Sequence, residues 1–250
     1  MLEQHRKDFE QLSELYAKAK RLVLEAEGKD PEQKSNIAVL NEMRAALDHL
    51  MQCIGSELAE EPDNKSYIEN QIRKAREHIV RAMYDSLDGI GVSIHKRTSD
   101  MLRNSPEHLI ATVFPEYHSD YLPKINSLDE KIIESRNNRD SRGSNSEEKI
   151  KEYQDIIREM EQVYEKIVPN LRYIADYNEL LCFDVKMKRF SQDKINEKYP
   201  QYSEYNKLTA ELRKMFKQRT FKVEKDKYEE LVKKMNYMQG ELEALFPEEW

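Results

Sequence analysis

One short segment of the chain occurs twice with Arg and Asp at the same spacing. Residues 44–51 read RAALDHLM and residues 81–88 read RAMYDSLD. His49 lies within the first copy, and His78 lies just before the second. A carboxylate beside an imidazole orients the ring and raises its pKa, which prepares a histidine for proton transfer. The two segments therefore contain the residue types that an acid–base site needs.

Helical spacing brings these residues onto shared helix faces. Residues four apart lie on one face, so Arg44 can pair with Asp48, and Arg81 can pair with Asp85. If the two faces meet, five side chains form a partly buried polar network: Asp48, His49, His78, Arg81 and Asp85. The spacing favours a structural network. The alternatives are a ligand or catalytic site, and two solvated faces whose ion pairs contribute only a few tenths of a kcal/mol.

An Arg followed five residues later by His occurs three times between residues 31 and 110. The pairs are Arg44 with His49, Arg73 with His78, and Arg103 with His108. This spacing resembles the motif of HEPN-family helical ribonucleases, in which Arg and His act on the RNA 2′-hydroxyl and phosphate, usually at a dimer interface. The resemblance implies a metal-independent ribonuclease of a toxin or defence system. Its catalytic residues would be Arg103 and His108, or Arg44 and His49.

The copies depart from that motif. Arg44 is followed by Ala45 and Arg73 by Lys74, whereas the third copy has Asn104 at this position but also contains Pro106. Residues five apart on a straight helix point about 140° away from each other. The motif would therefore act only near a helix end or between chains, and residues 103–108 lie nearest a helix end.

The composition is that of long amphipathic helices. The 250-residue chain is 38% hydrophobic and 36% charged, with 6 Gly and 8 Pro, which predicts an all-α fold. A multi-helix N-terminal part is expected over residues 1–134. Residues 135–148 contain no apolar side chain and are predicted to be a flexible loop. A long, coiled-coil-like helical hairpin is expected over residues 149–250.

The strongest periodicity follows the predicted loop. Apolar residues over 157–185 alternate three- and four-residue steps, the spacing of a coiled-coil seam, and the pattern continues through Pro169. This predicts one long, kinked helix. A second seam over 228–245 is expected to pair with it as an antiparallel hairpin. Asn178, within the first seam, either sets the register or lies at an edge turned partly to water.

The second predicted helix carries its large apolar residues on one stripe. These residues are Leu40, Met43, Leu47, Leu50 and Ile54. Their spacing by threes and fours is typical of a helix face that packs against the core. We therefore expect this stripe to be buried.

A basic segment with interleaved phenylalanines covers residues 207–227. Its phosphate-binding candidates are Arg213, Lys214, Lys217 and Arg219. Phe216 and Phe221 could stack on bases, or they could be core residues beneath a solvated helix face. The net charge of −7 argues against the whole protein as a non-specific nucleic-acid binder.

The sequence predicts neither a metal site nor a cofactor. The six histidines lack metal-ligand spacing, and Cys53 and Cys182 lie far apart, so we expect two buried thiols and neither a disulfide nor a zinc site. The N-terminal residues lack the apolar segment of a signal peptide, and no stretch is apolar enough to span a membrane. A cytoplasmic protein is expected.

These features favour a non-enzymatic function. The preferred interpretation is an intracellular interaction or regulatory protein whose amphipathic helices bind a protein partner or mediate self-association. The alternative, from the Arg and His spacing, is the HEPN-like ribonuclease. Whether the protein is an enzyme depends on which interpretation holds.

Overall fold

The described residues are mostly helical. The computed structural model describes residues 5–32, 34–59, 65–103, 105–140, 145–188 and 192–245. Within these ranges the chain forms nine α-helices, one π-helical turn and one 3-10 turn, and it contains no strand. The predicted all-α fold is confirmed.

The helix bounds follow in chain order. The α-helices are α1 (Arg6–Lys29), α2 (Ile37–Leu58), α3 (Lys65–Arg103), α4 (Glu107–Val113), α5 (Leu122–Asn137), α6 (Ser146–Met187), α7 (Gln192–Lys198), α8 (Tyr202–Gln218) and α9 (Lys225–Leu245). The π-helical turn (Tyr117–Tyr121) leads into α5, and the 3-10 turn (Thr220–Lys222) lies between α8 and α9. Among these helices, none is long and apolar enough to cross a membrane.

The chain divides into two compact units, each built from separate stretches of sequence. The first comprises Met1–Ser99 and Lys124–Tyr164, and the second comprises Asp100–Pro123 and Glu165–Trp250. The boundaries fall within α3, in the first turn of α5 and within α6. Both units therefore take residues from either side of the predicted loop, whereas the predicted division into 1–134 and 149–250 follows the chain and stays a prediction.

Both ends of the predicted loop, 135–148, are helical. Helix α5 continues to Asn137 and α6 begins at Ser146. The predicted loop has no apolar anchor, but Arg136 in α5 and Arg139 just beyond its end bind carboxylates of α3. Residues 141–144 lie outside the described residues.

Helix α3 supplies much of the core of the first unit. Its middle is buried on several sides, with Ile79, Val80 and Ala82 fully inaccessible to solvent. A helix buried on several sides packs against several neighbours. Gly91 permits one close approach, because an added Cβ there would lie 3.0 Å from Cδ1 of Ile157 on α6.

Aromatic rings form the core of the second unit. The Tyr173 ring of α6 lies 4.8 Å from Phe221 and 5.1 Å from Tyr228. The Tyr177 ring stacks on Phe216 of α8 at 4.3 Å. The Tyr228 hydroxyl donates a 2.5 Å hydrogen bond to Oδ2 of Asp176. These contacts join α6 to α8 and α9.

Helix α6 runs unbroken through Pro169, as predicted. Its seam is buried as far as Ile174, but Val185 is 57% exposed. Beyond Ile174 the buried face turns toward α8, where the ring of Phe183 lies 5.4 Å from that of Tyr205. The predicted coiled-coil register is therefore wrong in the last part of α6, because the packing partner there is α8.

Asn178 and the two cysteines differ in their burial. Asn178 is half-buried, and its Oδ1 lies 4.0 Å from Sγ of Cys182. This position fits the edge interpretation of Asn178. Cys182 is exposed rather than buried, whereas Cys53 is buried as expected.

Candidate functional site

Helix α2 is rotated relative to its predicted orientation. Its buried apolar residues, which are at most 2% exposed, recur every seven positions: Val39, Ala46 and Cys53. The residue that follows each of them belongs to the predicted core stripe. These three residues are between 44% and 55% exposed: Leu40, Leu47 and Ile54. One residue corresponds to a rotation of about 100°. The prediction that the larger stripe is buried is wrong, and α2 buries its smaller apolar residues instead.

This rotation directs Glu42 and His49 toward α3. Oε2 of Glu42 accepts hydrogen bonds from Nδ1 of His78, at 2.7 Å, and from Nε of Arg81, at 2.8 Å. The His49 ring stacks on His78 with 5.2 Å between centroids, and its Nδ1 lies 2.6 Å from Oε1 of Gln71. These five residues form a half-buried network, called here the His–Glu network, that joins α2 to α3.

Nδ1 of His78 lies between two polar neighbours. It lies 2.7 Å from Oε2 of Glu42 and 2.7 Å from Nη2 of Arg81. With its proton on Nδ1, His78 donates to Glu42, and Nε of Arg81 donates to the same carboxylate oxygen. Burial alone would raise the pKa of Glu42, but the hydrogen bonds from Arg81 and His78 outweigh burial and hold that pKa below its ordinary value. The ionised Glu42 carboxylate therefore organises the network.

Three of the five predicted network members are brought together: His49, His78 and Arg81. Asp48 is exposed and has no hydrogen bond or ion pair within the described residues, because the rotation of α2 turns it away from α3. Asp85 pairs with Arg139 instead, at 3.3 Å from Nη1 to Oδ1. Glu42 and Gln71 were missed. Glu42 could have been found from its seven-residue spacing to His49, which places both on one face.

A second cluster, called here the Asp–Arg clamp, binds the end of α5 and part of α6 to α3. Oδ1 of Asp88 accepts hydrogen bonds from Nε of Arg136, at 3.0 Å, and from the Tyr153 hydroxyl, at 2.5 Å. Arg139 pairs with both Asp85 and Asp88. Burial is the main cause that raises the pKa of Tyr153, and the hydrogen bond to Asp88 raises this pKa further. The Tyr153 hydroxyl therefore remains protonated and donates. The clamp is a structural device whose charges are satisfied within the first unit.

The clamp had a signal in the sequence. Two acidic residues three apart on one helix face the two basic residues three apart at the end of another. Burial also raises the pKa of Asp85, although Arg139 opposes that rise. The sequence argument assigned Asp85 to His78 and Arg81 because those residues are close along the same helix.

The Arg and His pair on α2 does not converge. Arg44 lines an apolar groove between α1 and α2, whereas His49 faces α3. Arg103 and His108 are both exposed, one at the end of α3 and the other in the first turn of α4. Asn104, between them, lies outside the described residues.

The basic segment does not present aromatic rings for stacking. Phe216 and Phe221 are buried in the aromatic core of the second unit, so of the two predicted alternatives the structure fits the core role and not stacking on bases. Arg213 forms an ion pair with Asp184. The remaining candidates are exposed: Lys214, Lys217 and Arg219.

No group of three or more His, Cys, Asp or Glu side chains in the described part of the chain could hold a metal ion. The His–Glu network includes two imidazoles and one carboxylate. However, Nδ1 of His49 is hydrogen-bonded to Gln71, and Oε2 of Glu42 accepts a hydrogen bond from Arg81. Its geometry suits the joining of two helices.

The large side chains that α2 leaves outside form one continuous surface, called here the α2 face. It consists of Leu40, Leu47, Met51, Ile54 and Leu58, with half-buried Met43 and Leu50 along one edge. Beside it, a groove of about 520 Å³ lies between α1 and α2, with Ile79 among its lining residues and Phe9 and Tyr16 contributed by α1. The surface is apolar along nearly the whole length of α2.

Comparisons with known protein families, with curated proteins and with solved structures found no match.

Proposed function

We propose that this protein is an intracellular helical interaction protein that binds an amphipathic helix on the α2 face. The observation that carries the proposal is the orientation of α2. The helix has two apolar stripes, and it places the larger one outside. A helix oriented only by its own unit's core would bury the larger stripe, because burial is favourable by roughly 25 cal/mol per Å² of apolar surface.

The size of the surface supports a partner. Leu47 is 55% exposed, Met51 is 56% exposed and Leu58 is 78% exposed. With their apolar neighbours they leave roughly 600 to 800 Å² of surface in water, at or above the roughly 300 to 600 Å² of the largest apolar patch on a typical monomer. An apolar surface of this size is typical of a protein interface.

The shape of the surface indicates a helical partner. The exposed residues recur at helical spacing, and the groove beside them runs between two helices. An amphipathic helix binds such a groove through apolar residues spaced by three, four and seven positions. The His–Glu network fixes α2 to α3, so the face is ordered before binding and less conformational entropy is lost.

The proposal includes a cytoplasmic location. Both cysteines are free thiols, and Cys182 is exposed. Free thiols are typical of proteins in a reducing compartment.

A labelled amphipathic peptide of about three heptads, with leucine at the a and d positions, tests the proposed surface by fluorescence anisotropy. We expect binding to the wild type and a loss on the order of 100-fold in Leu47→Glu. The matched control is Val185→Glu, since Val185 is 57% exposed on another helix. Equal binding by all three proteins, or no binding by any at protein concentrations where the wild type is monomeric, would contradict the proposal.

The HEPN-like ribonuclease is the second candidate. The exposure of both Arg103 and His108 at the junction of α3 and α4 favours it. The test is incubation of the purified protein with single-stranded RNA in excess EDTA. Cleavage that is abolished by His108→Ala, but not by exchanging His118 for Ala, would replace the interaction proposal with a catalytic one. The interaction proposal expects no cleavage.

A further inference from the structure

We infer that the α2 face is occupied by α2 of a second copy of this chain, packed antiparallel about a two-fold axis near Leu47. The inference rests on the proposed function and names the partner. Most homo-oligomers are two-fold dimers, in which one patch contacts its own copy. Such a patch has to be self-complementary in shape and in charge.

The apolar residues meet that requirement in size and spacing. Leu40 and Ile54 are placed symmetrically, seven positions on either side of Leu47. In an antiparallel pairing, Leu40 of one copy therefore lies opposite Ile54 of the other, and the two copies of Leu47 meet at the axis. The exposed apolar surface of roughly 600 to 800 Å² is close to the ~800 Å² that each partner contributes to a standard interface.

The charged residues at the edge of the face are also self-complementary. Arg44 and Asp48 are exposed on the same side of α2, and neither forms an ion pair within the described residues. In the antiparallel pairing, Arg44 lies opposite Leu50 of the second copy, two residues from its Asp48. Two residues correspond to about 3 Å along the helix, within reach of an arginine side chain. Each dimer then contains two reciprocal Arg44–Asp48 pairs.

Charge complementarity favours a second copy over an unrelated helix. Asp48 of the second copy is the negative partner for Arg44 of the first, and Arg44 of the second copy is the positive partner for Asp48 of the first. An unrelated amphipathic helix would need both charges at matching positions.

Sedimentation equilibrium between about 1 and 100 µM tests the inference. We expect the wild type to form dimers, Leu47→Glu to weaken dimerisation on the order of 100-fold, and Val185→Glu to leave it unchanged. Circular dichroism should show equal helix content in all three, because both substituted residues are exposed.

Charge reversal then tests the arrangement. Arg44→Asp and Asp48→Arg should each weaken dimerisation about tenfold, and the double reversal should restore it, because it recreates both pairs. A wild type that stays monomeric, a dimer insensitive to Leu47→Glu, or a double reversal that weakens binding further would each overturn the inference. A monomer that still binds the amphipathic peptide would leave the proposed function standing without its second copy.

Discussion

Replacing Glu42 by Ala tests the orientation of α2 directly. Glu42 accepts hydrogen bonds from Nδ1 of His78 and Nε of Arg81. A hydrogen bond to a charged group contributes about 1.5 to 3 kcal/mol. The side chain of Glu42 is about a quarter exposed and that of Arg81 about a third, so solvent reduces this contribution. We expect Glu42→Ala to lower the free energy of unfolding by about 1.5 to 2.5 kcal/mol.

The matched control is Asp48→Ala. Asp48 is the carboxylate that the sequence placed in the network, and the structure leaves it exposed. Its removal should cost less than about 0.5 kcal/mol, the range of exposed ion pairs. Urea unfolding followed by circular dichroism measures both variants. Because Asp48 also lies at the edge of the α2 face, both substitutions are made in Leu47→Glu, where self-association does not contribute.

The pH dependence gives the prediction a second readout. The pKa of Glu42 lies below its ordinary value in the folded protein, so its ionisation stabilises the fold above about pH 4.3, the unfolded value. That contribution is lost as the pH falls through the lower folded value. The gap in stability between the parent and Glu42→Ala should therefore narrow as the pH is lowered below about 4. Equal losses in Glu42→Ala and Asp48→Ala at neutral pH would refute the rotation.

Three further substitutions test the packing of the two units. Ile174→Ala should cost about 2 to 5 kcal/mol through a core cavity, whereas Val185→Ala, at an exposed position of the predicted seam, should change urea unfolding little. Burial raises the pKa of Asp176 in the folded protein. Its ionisation therefore lowers the free energy of unfolding as the pH rises from about 4, the unfolded pKa, through the raised folded pKa. Over that pH interval, the stability of Asp176→Asn in urea unfolding should increase relative to wild type. Arg139→Ala removes the ion pairs to Asp85 and Asp88 and should speed cleavage by subtilisin between α5 and α6, whereas Arg158→Ala, from an exposed pair, should not.

Periodicity predicted the helices well because it depends on local physics. The run of apolar residues through Pro169 correctly predicted an unbroken α6. The same pattern failed at Val185, where the ring contact between Phe183 and Tyr205 shows that the packing partner has become α8. Which helix packs against which is a property of tertiary structure, and a single-helix pattern does not contain it.

Polar partners were harder to predict than apolar faces. Asp88 binds Arg136 across 48 positions of the chain, and Glu42 binds His78 across 36. The predicted pairs joined each carboxylate to an arginine four positions away, because helical spacing alone predicts such pairs. Long side chains on neighbouring helices offer many alternative pairs, and the rotation of each helix decides among them.

The error in orienting α2 is itself informative about function. Its two apolar stripes are one residue apart, and the hydrophobic effect within a single chain favours burial of the larger one. With the smaller stripe buried, Glu42 and His49 face α3. There they contact His78, Arg81 and Gln71. Local rules and tertiary structure disagree most often at functional positions. The orientation of α2, with its polar residues inward and its leucines outward, is therefore the observation on which the proposed binding surface depends.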